Sequence, residues 1–242
     1  IFVNLVTFII LLYLKKNFMA IILKSNFEFL NALRENNNRE WMITHKKEYL
    51  ANEKVLKTFY KSVENKLNID DEISKVKVFR INRDVRFSKN KTPYNVHRSV
   101  SFSRAGAHRR GGYYLRIEPG NSAMAGGFFS PEASDLFRIR KEFEVDATEI
   151  REILNHKKFK KAFGGFNQSY QVKTAPRNFS KDDKNIDLIK LKNYFVGCKF
   201  TDKEVLSEDF EKKLMDHYLL LRPLFNYMSE VLTTDLNGVS LL

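Results

Sequence analysis

The stretch HRSVSFSRAGAHRRGGYYLRIEPGNSAMAGGFF, residues 97–129, decides the fold of this 242-residue chain. Its segments HRSVSFS, GGYYLRIEP and SAMAGGFF are short and rich in Val, Ile, Phe and Tyr. Gly111-Gly112 and Pro119-Gly120 mark turns between them. Such runs, separated by turn residues, predict strands of a mainly antiparallel sheet. KVKVFRI, residues 75–81, reads as a further strand of the same sheet.

Helical patterns precede this sheet in the chain. Residues 20–34 carry apolar side chains near helical spacing, and the run ENNN ends that pattern. Asn38 is a suitable N-cap for a second helix over 39–67, because its side chain can accept a hydrogen bond from a free first-turn amide. The lysines of the second helix lie off its apolar stripe, which is typical of a solvated face.

Helical patterns also follow the sheet. Ser130 and Pro131 predict a helix start, and Thr201 with Glu204 has the spacing of a capping box. The last helix, over about 208–232, should be kinked or split at Pro223. SYQVKT and YFVGCKF read as two more strands within an irregular stretch. The fold class predicted for residues 19–242 is therefore a single α+β domain, with N-terminal and C-terminal helices packed on a central mainly antiparallel sheet.

Residues 1–18 are treated separately, because IFVNLVTFIILLYLKKNF is apolar at its start and begins with Ile. The apolar run is shorter than the roughly 20 residues of a spanning helix. It also lacks the basic region and cleavage site of a signal peptide. We interpret residues 1–18 as upstream-translated, non-native sequence before Met19; the alternative is a short amphipathic or membrane anchor.

Positive charge is concentrated in one part of the chain. The formal net charge is +13, and residues 80–110 hold nine Lys or Arg side chains against one acid, Asp84. Focused charge favours an anionic ligand, because it raises the local concentration of anions. The single Cys198 excludes an internal disulfide and suits a reducing cytosol. We therefore expect a cytoplasmic protein.

FRINRDVRFSKNKTPY, residues 79–94, carries the densest part of this charge. If the stretch is a strand, Arg83 lies on the apolar side with Ile81 and Phe87, unless the chain bulges or turns near Asn82. A buried Arg is tolerable only when it is paired and hydrogen-bonded. Arg83 should then contact a carboxylate, a set of carbonyls or a ligand.

The pattern Arg80-x-x-Arg83-Asp84-x-Arg86-Phe87-x-x-Asn90-Lys91-x-x-Tyr94 resembles the signature of a family of conserved hypothetical proteins, domain of unknown function 2461. NNNREW, KTPYNVH, YLRIEPG and RIRKEF also occur in the order expected for that family, so that the resemblance covers about residues 20–240. It implies a bacterial-type, cytosolic protein. It implies no activity.

The first functional hypothesis is a site for an anionic small molecule bearing phosphate or carboxylate, with possible hydrolase or transferase chemistry. Planar, multidentate guanidinium groups suit such anions. The candidate ligand-binding residues are Arg80, Arg83, Arg86, Lys91 and Tyr94. The candidates for proton transfer are Asp84, His97 and Glu118, although Glu118 could instead pair with Arg83.

Two alternatives remain open at this stage. In a nucleic-acid-binding module, phosphates would follow a track of cationic side chains, namely Lys89, Lys91, Arg98, Arg104, Arg109 and Arg110, with Phe102 or Tyr113 available for stacking. In a purely structural network, the arginines would join the sheet to acids within the same fold. The five His residues show no paired spacing, so we expect no metal and no cofactor. The oligomeric state is left open.

Overall fold

We describe the protein from a computed structural model, which describes residues 20–106 and 108–242. The interpretation of residues 1–18 concerns residues outside these ranges. The five strands are β1 (Ile73–Val78), β2 (Arg98–Arg104), β3 (Gly112–Ile117), β4 (Ser122–Phe128) and β5 (Tyr194–Phe200). The ten helices within the described ranges are α1 (Lys24–Glu35), α2 (Arg39–Thr44), α3 (Lys46–Asp70), α4 (Ala133–Val145), α5 (Thr148–Asn155), α6 (Lys157–Phe163), α7 (Ile186–Ile189), α8 (Asp202–Val205), α9 (Phe210–Leu219) and α10 (Arg222–Thr233). No described helix is long and apolar enough to cross a membrane.

The strands form one sheet in the order β1-β2-β3-β4-β5, and every neighbouring pair is antiparallel. The α+β class and the antiparallel sheet predicted from sequence are therefore confirmed. The chain reaches β5 only after α4 to α7, so the fifth strand joins the edge of a sheet whose first four strands are consecutive. The turn residues Gly111 and Gly120 both have positive φ angles, which glycine adopts without the steric penalty of a Cβ.

The two faces of the sheet differ in burial. In β2 and β3, the register pairs Val100 with Leu115 and Phe102 with Tyr113, and all four side chains are buried. Because side chains alternate along a strand, the residues between them point to the opposite face. We call that opposite face the open face, because its side chains are half-buried or exposed apart from Ser99. The residues of this face are Lys75, Lys77, Ser99, Ser101, Ser103, Gly112, Tyr114, Arg116, Ala123, Ala125, Gly127, Phe195, Gly197 and Lys199.

The main hydrophobic core lies on the buried face, between the sheet and apolar stripes of α3, α9 and α10. Phe59 of α3 stacks on Phe210 of α9 at 5.8 Å between ring centroids. Tyr113 of β3 meets Phe225 of α10 edge-on at 5.0 Å. Aromatic pairs in these geometries add stabilisation beyond the area that they bury.

A second, smaller cluster fixes the segment between β1 and β2. Phe29, Leu30 and Leu33 of α1 pack with Met42 of α2 and with Ile81. Ile81 follows β1 and is only 3% exposed. This contact anchors the start of the charged segment to the N-terminal helices.

Several boundaries differ from the sequence predictions. β1 ends at Val78, so residues 79–81 of KVKVFRI lie outside it. SYQVKT forms no strand and contributes one isolated bridge, between Gln171 and Leu191. The helix predicted over 39–67 is interrupted at His45. The helix after the sheet begins at Ala133, because Ser130 has a positive φ and its amide donates to the Asn193 side chain.

Three of the predicted helix boundaries are confirmed by the structure. The Asn38 side chain accepts a hydrogen bond from the Trp41 amide. Thr201 and Glu204 form the reciprocal capping box. The last helical region is split into α9 and α10, and its proline lies in the first turn of α10, where the missing amide proton costs no helical hydrogen bond.

Candidate functional site

The charged motif occupies a loop between β1 and β2, residues 79–97, which we call the motif loop. Its two arms pair with each other through an isolated bridge between Asn82 and Tyr94. The Arg83 amide donates to the Pro93 carbonyl at 2.8 Å, and the Asn95 amide donates to the Ile81 carbonyl at 2.7 Å. The motif is therefore not a regular strand, and the strict alternation expected for it fails. Phe87, expected on the same apolar side as Ile81, is 97% exposed.

Arg83 holds the two arms of the motif loop together. Its guanidinium donates to the Thr92 carbonyl at 3.0 Å, to the Thr92 hydroxyl and to the Ser88 hydroxyl at 3.4 Å. The sequence predicts a carboxylate, a set of carbonyls or a ligand as the partner of this side chain, and its observed partners are a carbonyl and two hydroxyls. None of them carries charge, so the positive charge of Arg83 is not neutralised by these contacts.

Asp84, Arg86 and Lys91 make local contacts at the exposed end of the motif loop. The Arg86 side chain donates to Asp84 through Nε at 3.0 Å and Nη2 at 2.7 Å. Hydrogen bonds from Arg86 lower the pKa of the Asp84 carboxyl, so this group is ionised at neutral pH. Lys91 donates to the Val85 carbonyl at 3.0 Å. These three residues therefore stabilise the turn of the loop.

Tyr94 contributes its backbone to the packing of the loop on α1 and α2. Its amide donates to the Asn37 side chain at 3.0 Å, and its carbonyl accepts from the same side chain at 2.9 Å. Its ring packs against the second hydrophobic cluster. Tyr94 thus holds the motif loop against the N-terminal helices.

A pocket of about 520 Å³ opens at the base of the motif loop, where β1 and β2 begin to diverge. We call it the basic pocket. It brings together four of the predicted site residues, Arg80, Arg83, Asp84 and His97. Arg86, Lys91, Tyr94 and Glu118 do not line it. The other lining residues are Lys77, Val78, Phe79, Asn82, Asn95, Ser99 and Tyr114.

The charge of the basic pocket is positive. Three cationic side chains, Lys77, Arg80 and Arg83, line it together with one carboxylate, Asp84. That carboxylate already accepts two hydrogen bonds from Arg86. Within residues 20–106 and 108–242, neither Lys77 nor Arg80 has a carboxylate within ion-pair distance. The Lys77 ammonium instead lies 4.9 Å from the centre of the Phe79 ring, a cation–π contact.

His97 is the titratable group of this pocket that can change charge near neutral pH. Burial, above all, lowers the pKa of its imidazole, and the nearby Arg116 and Arg98 lower it further against the opposing effect of Glu118. The imidazole is therefore neutral at pH 7, and a neutral imidazole can accept a proton.

Glu118 lies at the turn between β3 and β4, outside the basic pocket. Its carboxylate accepts from the Asn121 side chain at 3.1 Å and lies 3.4 Å from Arg116. A longer contact of 3.9 Å joins it to Arg34 of α1. The predicted pairing of Glu118 with Arg83 is not present, because Arg83 makes its contacts inside the motif loop.

The remaining arginines of the basic stretch are engaged with acids. Arg98 and Arg104 point to the buried face and pair with Glu53 and Asp71. Arg109 pairs with Glu72 and Arg110 with Asp135. Four of the six cationic side chains proposed as a phosphate track are therefore neutralised within the fold, and two of these four are buried.

Lys77, Phe79, Ser99 and Tyr114 line the basic pocket but were not singled out from the sequence. They converge because the register places Lys77 beside Ser101 and Tyr114 on the open face, while the Phe79 amide donates to the Ser99 carbonyl at 2.9 Å. The one available signal was the alternation in SVSFS, which sets three serines against Val100 and Phe102 and thereby indicates an uncovered face.

No group of three or more His, Cys, Asp or Glu side chains in the described part of the chain is arranged to hold a metal ion. A family model described as a conserved hypothetical protein (DUF2461) matches residues 25–227. A search of curated proteins returned no match, and neither did a search of solved structures.

Proposed function

The chain belongs to the DUF2461 family of conserved hypothetical proteins, a description that names no activity, and we propose from the site itself that it binds an anionic small molecule in the basic pocket. The anion is a phosphate or carboxylate group. One observation carries the proposal: Lys77, Arg80 and Arg83 line a single pocket, and Asp84, the one carboxylate among its described lining residues, is hydrogen-bonded to Arg86. Clustered, under-neutralised cations raise the local concentration of anions.

The donors around the pocket support binding of this kind. Arg80 is exposed, and the side chains of Asn82, Asn95 and Ser99 add neutral hydrogen-bonding groups. Each charge-assisted hydrogen bond to an anion contributes roughly 1.5–3 kcal/mol. Two or three such contacts would be enough for a specific site. The pocket volume falls within the range of small-molecule sites, about 300–1,000 Å³.

Proton transfer, as part of a hydrolase or transferase reaction, would fall to His97. It is the one candidate that both lines the pocket and is uncharged at neutral pH. Asp84 is ionised and held by Arg86, and Glu118 lies elsewhere. We place this activity in the cytoplasm, since a chain whose one cysteine, Cys198, is free suits a reducing compartment.

The direct test is calorimetric titration of the full chain with inorganic phosphate and with sulfate. Arg80→Ala should weaken binding by about tenfold or more, because it removes one charge-assisted contact. Lys89→Ala is the matched control, since Lys89 is exposed on the same loop, carries the same charge and does not line the pocket. If the two variants lost the same affinity, binding would depend only on the net charge of the protein, and the proposal would be wrong.

The pH dependence of sulfate binding gives a second test, because sulfate does not itself titrate in the relevant range. A bound anion favours imidazolium, so affinity should rise as the pH falls through the lowered pKa of His97, below about 6.5. His97→Gln should remove that rise and leave the affinity at pH 8 unchanged. An unaltered pH profile in His97→Gln would show that the imidazole does not face the anion.

A further inference from the structure

The open face of the sheet forms a cleft of about 850 Å³ above the small side chains of its central strands. The register lines up Ser101, Tyr114, Ala125 and Gly197 in one row across the sheet. The next row contains Ser103, Gly112, Gly127 and Phe195. Because most of these residues are glycine, alanine or serine, much of the floor of the cleft lies close to the backbone.

Aromatic rings stand around this floor. Phe79 and Tyr114 lie at one end, with ring centroids 6.1 Å apart. Phe129, Tyr170 and Phe195 form a cluster at the other end, with centroids 5.6 to 6.1 Å apart. Phe129 is 63% exposed and Tyr170 is 45% exposed, although both are large apolar rings. Exposed apolar groups that surround a cleft mark binding sites more often than isolated exposed residues do.

The cleft adjoins the basic pocket. Phe79 and Tyr114 line both of them. Lys77, in the same row as Ser101 and Tyr114, stands at the boundary on the side of the basic pocket. A single molecule can therefore have its anionic group in the basic pocket and an apolar body on the open face.

We propose that the open face holds an aromatic ring system of the same ligand whose anionic group binds in the basic pocket. The ligand class is a phosphate monoester of an aromatic or heteroaromatic compound, about the size of a nucleoside monophosphate. This inference rests on the proposed function. It adds that Phe79 and Tyr114 contact the ring next to the anion, and that the small residues of the floor leave room for its planar shape.

The charges around the cleft favour a small ligand over a single-stranded nucleic acid. A polynucleotide requires a groove of cations that follows its successive phosphates. At the end of the cleft away from the basic pocket, the cationic Arg110 is paired with Asp135, and Glu132 adds a second carboxylate. Additional phosphates of a polynucleotide would be repelled by these carboxylates. The charges therefore favour a ligand with one terminal anionic group.

The experiment compares two phosphate monoesters of equal charge, adenosine monophosphate and ribose 5-phosphate, by calorimetric titration of the full chain. We expect adenosine monophosphate to bind at least about fivefold more tightly, since each stacked base contributes to affinity in proteins that bind exposed bases. Equal affinities for the two compounds would overturn the inference while leaving the proposed function in place. Failure of both compounds and of inorganic phosphate to bind would overturn the proposed function itself.

Two matched variants locate the ring. Ala125→Leu places a bulky side chain on the floor of the cleft and should reduce affinity for adenosine monophosphate about tenfold, with ribose 5-phosphate unaffected. Ala123→Leu is the control, because Ala123 is on the same strand and the same face but does not line the cleft. Arg80→Ala should weaken the binding of both compounds. Equal effects of the two leucine substitutions would contradict the inference.

Titration with oligothymidine tests the alternative that the cleft binds a single-stranded nucleic acid. Binding of a ten-nucleotide strand that is much tighter than that of adenosine monophosphate, and that falls steeply with salt, would overturn the assignment to a small ligand. Oligothymidine affinity no higher than that of adenosine monophosphate would support it.

Discussion

The arginines of β2 and the arginines of the motif loop are close in sequence and opposite in environment. The Arg98 side chain is 4% exposed and donates to the Glu53 carboxylate, with Nη2 to Oε2 at 2.9 Å. Arg83 is half-buried and bonded only to uncharged oxygens, and Arg80 is exposed. A guanidinium on the covered face of the sheet requires a carboxylate, whereas one on the loop can remain charged and available. The basic stretch therefore contains a structural set that pairs with carboxylates, and the loop arginines Arg80 and Arg83, which make no ion pair among the described residues.

The largest expected effect in this comparison comes from Arg98→Ala. It leaves the Glu53 carboxylate buried without its partner, which costs about 3–5 kcal/mol of unfolding free energy. Urea denaturation measures it, as a fall in the midpoint at constant slope. A double variant, Arg98→Met with Glu53→Leu, should recover most of the loss, because apolar residues can replace a buried pair.

Arg86→Ala is the control for Arg98→Ala. It removes the same side chain from an exposed ion pair with Asp84, and such pairs contribute little. A similar fall of the urea midpoint in Arg86→Ala and Arg98→Ala would erase the distinction between the two sets of arginines.

Substitution of Asp71 should have the next largest effect on the unfolding free energy, and this effect should depend on pH. Its buried carboxylate accepts from Arg104 and Tyr113 at 2.7 Å and lies 2.9 Å from Arg222. Burial alone would raise the pKa of Asp71, but these hydrogen bonds hold it below its usual value. We expect Asp71→Asn to cost about 2–3 kcal/mol at pH 7.

The sign of the pH dependence follows from that lowered pKa. The carboxylate stabilises the fold fully above its unfolded pKa of about 3.9, and this contribution is lost as the pH falls through the lower folded value. The difference between wild type and Asp71→Asn should therefore shrink between pH 4 and pH 2 in urea titrations. A difference that stays constant with pH would contradict the assignment.

The division between the two sets of arginines could not be read from the sequence, although much of the sheet could. Short runs rich in β-branched and aromatic residues, separated by turn residues, identified β2, β3, β4 and β5. The alternation of faces was wrong in the motif loop, where Ile81 packs on α1 and the chain leaves the sheet. Glu53 and Asp71 lie 45 and 33 residues from the arginines that they neutralise. Local patterns contain no information about such pairs.

The candidate site shows the same limit. Arg80, Arg83, Asp84 and His97 were predicted together because they are near one another in the chain. Lys77 and Tyr114 could be added only from the register of β1 on β2 and of β2 on β3. A register depends on packing across the whole sheet, whereas a motif depends on a few consecutive residues.

Arg83→Ala sharpens the comparison on the loop side. It removes hydrogen bonds to Thr92 and Ser88 at the surface, so we expect a cost of about 1–2 kcal/mol confined to the motif loop. Hydrogen exchange in this variant should be faster at the backbone amides of positions 83 and 95, whose hydrogen bonds join the two arms. Global unfolding of Arg83→Ala would instead place this residue with Arg98 as part of the structural set.

Phe87→Ala should have the smallest effect, because this ring is 97% exposed at the end of the motif loop and lies 5.9 Å from the Arg86 guanidinium. Surface substitutions away from caps and buried groups change the unfolding free energy by less than about 0.5 kcal/mol. The urea midpoint of Phe87→Ala should therefore match that of the wild type, and its affinity for phosphate should be unchanged, since Phe87 does not line the basic pocket. A loss above about 1 kcal/mol that grew with protein concentration would show that the ring packs against a second molecule, and the loop could no longer be treated as a free surface.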